Sequence, residues 1–490
     1  MTETALPNDI FCNPLPMPDY PVGICAPSRR GKDAQNDKYF IGPVRDFREL
    51  ADPEGMYLDG KWYVFPSARQ AYVSSDLARW EYCPLTFEDG SPDLGYAPSI
   101  AKANEHFILT SSTLFQGRAA IFRAPTPLGP YRNLGSPQMP DGAPIRPQWL
   151  DPTIFCDDDG RLYMYWHFGG EGAGIFGAEF DPENPVRAMT TEPVKVIDFD
   201  PTNAFERYGE NNEHIDKSYV EGEAMFKHNG EYYLQYACNG TVFRHYAIGV
   251  YRGKSPLGPF TVQRTPVALS PTGRVAGTGH GGWIAGPNGT VWQFYTCCAR
   301  RIHFFERRIG IDRVTFDANG DAHVAVTNTP QSMTSGDSGW KPVSVNKPTS
   351  ASSYKDTNYA SFATDDATHT WWMPAANDPA PWLEIDLKQT FTLKAVQILW
   401  VEEGLNFQQG VLPRPVPFEL EFFDKNHELL GKRSWLELQT DHLVEFKTFE
   451  PIQAYHVRLV FDNPAESLLK HGVSNLTLFG NAVPQAKNQR

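Results

Sequence analysis

Over the first two-thirds of the chain, apolar and polar positions alternate in short runs, and the runs recur on one plan. A small or acidic tripeptide comes first, then a polar turn, then an aromatic-rich stretch. Ala51-Asp52-Pro53 precedes Gly60-Lys-Trp-Tyr-Val-Phe-Pro-Ser67, and Tyr96-Ala97-Pro98 precedes Asn104-Glu-His-Phe-Ile-Leu-Thr-Ser111. Leu150-Asp151-Pro152 precedes Asp159-Gly-Arg-Leu-Tyr-Met-Tyr-Trp166, and Val220-Glu221-Gly222 precedes Asn229-Gly-Glu-Tyr-Tyr-Leu-Gln-Tyr236. Last, Gly279-His280-Gly281 precedes Asn288-Gly-Thr-Val-Trp-Gln-Phe-Tyr295. Alternation of β-branched and aromatic residues with period two predicts half-buried strands. Asp159-Gly160, Asn229-Gly230 and Asn288-Gly289 predict hairpins, because a type I′ turn needs positive φ at both central residues. Outer strands recur too, at Ser74–Trp80, Thr126–Tyr131 and Ser255–Phe260.

The opening motifs stand 45, 54, 70 and 59 residues apart, counted from Asp52 through Ala97, Asp151, Glu221 and His280. That is the length of a four-stranded unit with loops of varied size. Five copies predict a five-bladed β-propeller over residues 41–333, after an N-terminal extension over 1–40; a sandwich of similar strands gives no reason for five. A propeller turns the first strand of each blade toward the central channel. Asp52, Asp151, Glu221 and His280 are therefore expected to face one another there, with Ala97 as the uncharged fifth. Like charges in a poorly solvated funnel raise one another's pKa, and such placement marks chemistry more often than support. The acidic run Asp157–Asp159 reads instead as a solvated hairpin tip.

Thr334–Lys341 breaks the pattern and reads as a linker at 334–341. Beyond it, strands at Ala395–Trp400, Phe418–Phe423 and Ala454–Phe461 predict a second all-β unit over 342–482, a β-sandwich of jelly-roll type, with a tail at 483–490. The fold class is all-β, propeller then sandwich.

Composition agrees and narrows the partners. The 490 residues are 41% hydrophobic and 13% aromatic, with 40 glycines and 41 prolines spread along the chain. A net charge of −14 and the lack of a basic stripe argue against nucleic acid. No apolar run is long enough to span a membrane. The N-terminus lacks the pattern of a secretory leader and the seven cysteines lack metal-type spacing, so reduced thiols and a cytoplasmic setting are expected. Oligomeric state is left open.

Glycoside hydrolysis uses one carboxylic acid on the leaving oxygen and a second carboxylate to activate water, about 6.5–9.5 Å away in the inverting case. A third, ionised carboxylate beside the acid raises its pKa. Here the sequence resembles glycoside hydrolase family 43 over roughly residues 40–330. The resemblance implies Asp52 as general base within Ala51-Asp-Pro, Asp151 as pKa-modulating aspartate within Trp149-Leu-Asp-Pro, and Glu221 as general acid within Val220-Glu-Gly. It implies that His280, in Gly277-Thr-Gly-His-Gly281, lies on the axis near water or a cation, and that Phe305-Glu-Arg-Arg supplies a substrate-facing arginine, by spacing Arg307 rather than Arg308. No cofactor is required and no metal ligand is assigned; a structural calcium ion reached through water is compatible. The chain departs from the family where proline usually follows Glu-Gly and here Glu223 stands. Glu223 is expected beside the site as a contact to substrate or acid, not as the catalytic group. Trp149, Trp166 and His167 read first as blade packing and second as a stacking wall for sugar, with Trp149 the candidate substrate contact.

The resemblance implies an inverting exo-glycosidase that releases terminal α-L-arabinofuranosyl or β-D-xylosyl units from plant-type oligosaccharides. Alternatives are a β-galactosidase-type member and a non-catalytic sugar-binding protein with a relic site. Retaining fructan hydrolases of the same fold use Asn-Asp-Pro and Arg-Asp-Pro, where this chain has Ala51-Asp52 and Leu150-Asp151. The C-terminal motifs resemble a coagulation-factor type C, or discoidin-like, domain, expected to brace the first unit more than to bind sugar.

Overall fold

The structure, a computed structural model, describes residues 9–18, 48–67, 70–90, 94–112, 120–145, 150–167, 174–299, 306–406, 409–464 and 466–483. Trp149, Cys25 and most of the N-terminal extension lie outside these residues.

The repeats fold as five antiparallel sheets of four strands each. Sheet one runs Glu54–Leu58, Lys61–Phe65, Tyr72–Ser74 and Glu81–Tyr82, and sheet two Ser99–Ala103, His106–Thr110, Ile121–Ala124 and Arg132–Gly135. Sheet three is Leu150–Cys156, Leu162–His167, Ile175–Phe180 and Val194–Ile197. Sheet four is Val220–His228, Glu231–Cys238, Ala247–Gly253 and Phe260–Val262. Sheet five is Trp283–Ala285, Val291–Cys298, Arg307–Phe316 and Ala322–Val324. Their first strands touch in the closed order one, two, three, four, five, one. An apolar cluster fills each seam. Phe65 and Leu109 meet between sheets one and two, Ile108 and Trp166 between two and three, and Tyr165 and Tyr236 between three and four. Tyr233 and Trp283 meet between four and five, and Trp62 and Trp292 close the ring between one and five.

The alternation explains this packing: a strand buried between two neighbours sends successive side chains into opposite seams. Each inner strand also begins with a left-handed residue, at Asp52 (φ 51°), Ala97 (49°), Asp151 (41°), Gly222 (58°) and His280 (47°). The aligned tripeptides would put Glu221 at that position in sheet four, but the backbone puts Gly222 there, one residue later. Three of these kinks are clasped by the preceding sheet. The Asp52 N–H donates to Thr296 Oγ1 at 2.9 Å, Ala97 to Ser67 Oγ at 3.2 Å, and Asp151 to Ser112 Oγ at 2.6 Å.

Two local expectations are corrected. At Asp159-Gly160 only the glycine has positive φ, 83°, because Asp157 closes a longer turn with Gly160 and Arg161. Asp157 is not solvated. It is buried and accepts from Lys227 Nζ and Tyr232 Oη, both at 2.6 Å, tying sheet three to sheet four.

The C-terminal third forms one seven-stranded sheet, folded over a single apolar core that includes Trp372, Trp400 and Phe461. Its long strands Trp382–Glu403 and Val444–Phe461 bend at register shifts after Asp386 and Leu393. The stretch read as a linker is structured: Gly336–Asp337 pairs with Gln331–Ser332, which pairs with Ile10–Phe11. Residues 9–18 wedge between the ring and the C-terminal sheet. Asn13 exchanges hydrogen bonds with Ile311 at 3.0 Å, and its carbonyl accepts from Gln397 at 3.2 Å. The described cysteines are free thiols.

Arg48 crosses the same boundary, reaching Glu402 at 2.7 and 2.8 Å and Asp441 at 2.6 Å. Burial would raise the Glu402 pKa, but Arg48 and His471 prevail and hold it at about 2. A depressed carboxylate contributes stability above its unfolded pKa and loses it as pH falls toward the folded one. The contact should therefore persist to about pH 2. Removing a buried partner typically costs about 3–5 kcal/mol, so Arg48→Met should lower the urea midpoint accordingly. A midpoint unchanged at neutral pH would show that the contact contributes nothing.

Candidate active site

The five kinks carry only four side chains, because the fourth is Gly222. His280 takes the vacant space: a Cβ at Gly222 would lie 2.7 Å from His280 Cγ and Nδ1. With φ at +58°, this position suits glycine on both counts. Glu221 and Glu223 flank it, and the ladder of sheet four shifts register between Glu221 and Ala224.

Asp52 is 4% exposed and closely held. Arg307 donates to both its oxygens, Nη1 to Oδ1 at 2.8 Å and Nη2 to Oδ2 at 3.0 Å, and Ser67 donates to Oδ2 at 2.9 Å. The same guanidinium reaches Glu49 through Nε at 2.8 Å and again through Nη2. His280 Nδ1 stands 3.4 Å from Asp52 Oδ1. Arg307 is thus engaged with Asp52 and Glu49 where a substrate-facing role was expected, and burial, which would lower its pKa, is overcome by these carboxylates. Arg308 turns away and donates to the carbonyls of Arg48 and Arg307.

The other acids gather around His167. Donor atoms of Asp151, His167 and Glu221 all lie within 4.8 Å of one another. Ser112 donates to Asp151 Oδ1 at 2.6 Å, and Tyr246 donates to Glu221 Oε1 at 3.0 Å. Burial raises the Glu221 pKa, and the charge of Asp151 raises it further, against His167, His280 and Tyr246. For Asp151 burial pulls upward, yet His167, His280, Ser112 and Arg307 together bring it below the ordinary value. One carboxyl goes up and its neighbour goes down.

His167 was read as packing, and the structure places it in this group. Its Nδ1 is 3.5 Å from Glu223 Oε2 and 3.9 Å from Asp151 Oδ2. Burial would lower its pKa, but Glu223, Asp151 and Glu221 lift it to about 9. Asp151, His167 and Glu221 thus form a closely packed cluster of ionisable groups. Register carried the missed signal. His167 pairs with Leu150 at the end of its second strand, the place held by Ser67, Ser112 and Thr296 in sheets one, two and five. Glu49 and Tyr246 were missed as well, since neither stands in a repeat motif. Trp149 lies outside the described residues.

A second group, Glu384, His427 and His456, sits on the C-terminal sheet. Arg458 already occupies Glu384 at 2.8 and 3.0 Å, and the two imidazoles stack face to face with centroids 3.9 Å apart. Stacked rings aim their lone pairs past a common point, which is poor geometry for a cation.

Residues 44–322 match the glycosyl hydrolases family 43. The chain belongs to that family. It is similar to xylosidase/arabinosidase 43A of Humicola insolens, 33% identical over 43% of this chain and 78% of that protein. It is 26% identical to the β-xylosidase of Xylanibacter ruminicola, over 44% of this chain and 78% of that one. The arabinoxylan arabinofuranohydrolase of Paenibacillus polymyxa is 27% identical over 45% of this chain and 40% of its own length. The chain spans less than half the length of that relative and of a further one from Escherichia coli (strain K12). A crystal structure of a thermostable family-43 glycoside hydrolase covers 58% of this chain and 95% of its own at 22% identity, with a TM-score of 0.48.

Arg307 holds two buried acids at once, so Arg307→Met should destabilise the protein by about 3–5 kcal/mol. Urea unfolding midpoints of parent and variant at neutral pH test this; an unchanged midpoint contradicts it.

Proposed function

We propose that the chain is an inverting, exo-acting glycosidase with Asp52 as general base, Glu221 as general acid and Asp151 as the charge that keeps Glu221 protonated. The ring of five sheets is read as a five-bladed β-propeller, and the C-terminal sheet as a discoidin-like sandwich that braces it through residues 9–18 and Arg48. One observation carries the reading. Two neighbouring carboxyls are driven apart, Glu221 upward by burial and by Asp151, and Asp151 downward by its cationic neighbours. Paired carboxyls with opposed shifts divide into an acid and a permanent charge.

The chemistry then runs through this chain's own side chains. Glu221 delivers its proton to the leaving oxygen, with Tyr246 Oη fixing the carboxyl plane at 3.0 Å. Asp52 draws a proton from water as it attacks the anomeric carbon. Its orientation is set by Arg307 and Ser67, which leave Oδ1 with a lone pair toward His280. Three hydrogen bonds, two from Arg307 and one from Ser67, hold the Asp52 carboxyl in place. The names of the relatives support a terminal β-D-xylosyl or α-L-arabinofuranosyl unit as the sugar released. The reading requires no cofactor.

Glu221→Gln should fold and lose about 10²–10⁴-fold in kcat on xylobiose or an arabinofuranosyl-substituted xylo-oligosaccharide. The loss should be much smaller with a nitrophenyl leaving group, which needs little acid assistance. Proton NMR of the first product should show the anomer opposite to that of the substrate. Retained configuration, or a fully active Glu221→Gln, would overturn the proposal.

A further inference from the structure

Glu223 has no task in that mechanism, yet its side chain is fully buried and both carboxylate oxygens lack a hydrogen-bond partner among the described residues. Burying a carboxylate with no donor costs several kcal/mol unless an opposite charge faces it. The charge it faces is His167, whose Nδ1 is likewise buried and without a hydrogen bond, 3.5 Å from Glu223 Oε2. The same nitrogen stands 3.9 Å from Asp151 Oδ2. His167 therefore lies between two carboxylates, one that acts on Glu221 and one that does not.

That position creates a conflict. A cationic imidazole beside Asp151 cancels the negative charge that is to hold the proton on Glu221, since the donor atoms of all three are within 4.8 Å. We propose that Glu223 is the counter-ion of His167: it holds the imidazole in place and cancels its charge, so that Asp151 acts on Glu221 unopposed. Glu223 is a positioning residue, and this role rests on the reading of Glu221 as general acid.

The other charged groups facing the cluster leave the balance as described. From sheet three come Asp151 and His167, from sheet four Glu221 and Glu223, and from sheet five His280 and Arg307. Tyr246 contributes its hydroxyl. Arg307 is matched by Glu49 and Asp52, and His280 Nδ1 stands 3.4 Å from Asp52 Oδ1, whereas His167 is the cation-forming group that faces Glu223, at 3.5 Å. The shifts follow: burial raises Glu223 to about 7 against the pull of His167, while His167 is lifted to about 9.

The test is the pH profile of kcat/KM on xylobiose and on an arabinofuranosyl-substituted xylobiose, measured for the full chain and its variants. Glu223→Gln leaves His167 uncompensated beside Asp151, so the alkaline limb should move to lower pH by about one unit. Glu223→Gln/His167→Gln removes a neutral pair and should return the limb to the parental position. His167→Gln alone should leave the limb at or above it, because an unpaired Glu223 takes up a proton. In protein carrying 13C-labelled histidine, the NMR titration of the His167 ring, assigned with the His167→Gln variant, should shift to lower pH in Glu223→Gln.

A limb that does not move in Glu223→Gln while Glu221→Gln is inactive overturns the counter-ion role and leaves the acid assignment standing. An active Glu221→Gln overturns the assignment itself, whereas the His167 titration still reports on the pair. Should Glu223→Gln fail to fold, His167→Gln decides: a limb displaced to lower pH contradicts the proposal.

Discussion

One backbone constraint, the left-handed residue near the start of each inner strand, places Asp52, Asp151 and His280 and sets Glu221 and Glu223 on either side of Gly222. A non-glycine residue there costs on the order of 1–2 kcal/mol, and aspartate and histidine tolerate it better than most. The chain accepts that cost at Asp52, Asp151 and His280, and at Ala97 without any side-chain help. In return the backbone N–H turns toward the preceding sheet, where a Ser or Thr hydroxyl accepts it. The kink, the seam and the direction of the side chain are one device. Sheet four differs because its kink is glycine, so its two glutamates flank the axis and His280 fills the gap.

Much of this was legible in the sequence. The five runs, their spacing and the tripeptides that begin them give the five sheets and point to Asp52, Asp151, Glu221 and His280. Two things were not legible. The first is the one-residue offset at Gly222, which depends on a register shift that no local pattern records. The second is His167. Aromatic neighbours make a histidine at a strand end look like packing, and only its register beside the hydroxyl positions places it with Asp151 and Glu221. Arg307 falls between: its spacing singled it out, but its fork is turned onto Glu49 and Asp52, two acids that lie some 255 residues or more away in sequence.

The C-terminal sheet depends on contacts of the same kind, buried charges matched across a boundary. Arg48 meets Glu402 and Asp441, and Arg274 meets Gln397 and Asp366 at 2.8 and 2.7 Å. Neither arginine belongs to the core of the unit it anchors. The strand at Ile10–Phe11 and the pair at Gly336–Asp337 join the same small sheet, so the two ends of the ring's sequence are fastened where the second unit docks. A composition-based linker reading fails here because glycine, serine and aspartate suit a tight paired turn as well as a loose tether.

The site holds two groups of acids, each with more carboxyls than cations. On one wall Asp52 and Glu49 share the Arg307 guanidinium. On the other, Asp151, Glu221 and Glu223 surround one imidazole, and the two glutamates receive few donors. Burial penalises charge on both walls alike, so it cannot by itself separate a base from an acid. What differs is the donor count: three contacts from Arg307 and Ser67 reach Asp52, while among the described residues Glu221 receives one, from Tyr246. An acid with few donors keeps its proton because the proton supplies the missing bond. On the proposed reading, the division of labour follows from which sheet contributes an arginine and which contributes a histidine. In that arrangement a lone imidazolium works against the acid, and a second carboxylate on its far side restores the asymmetry.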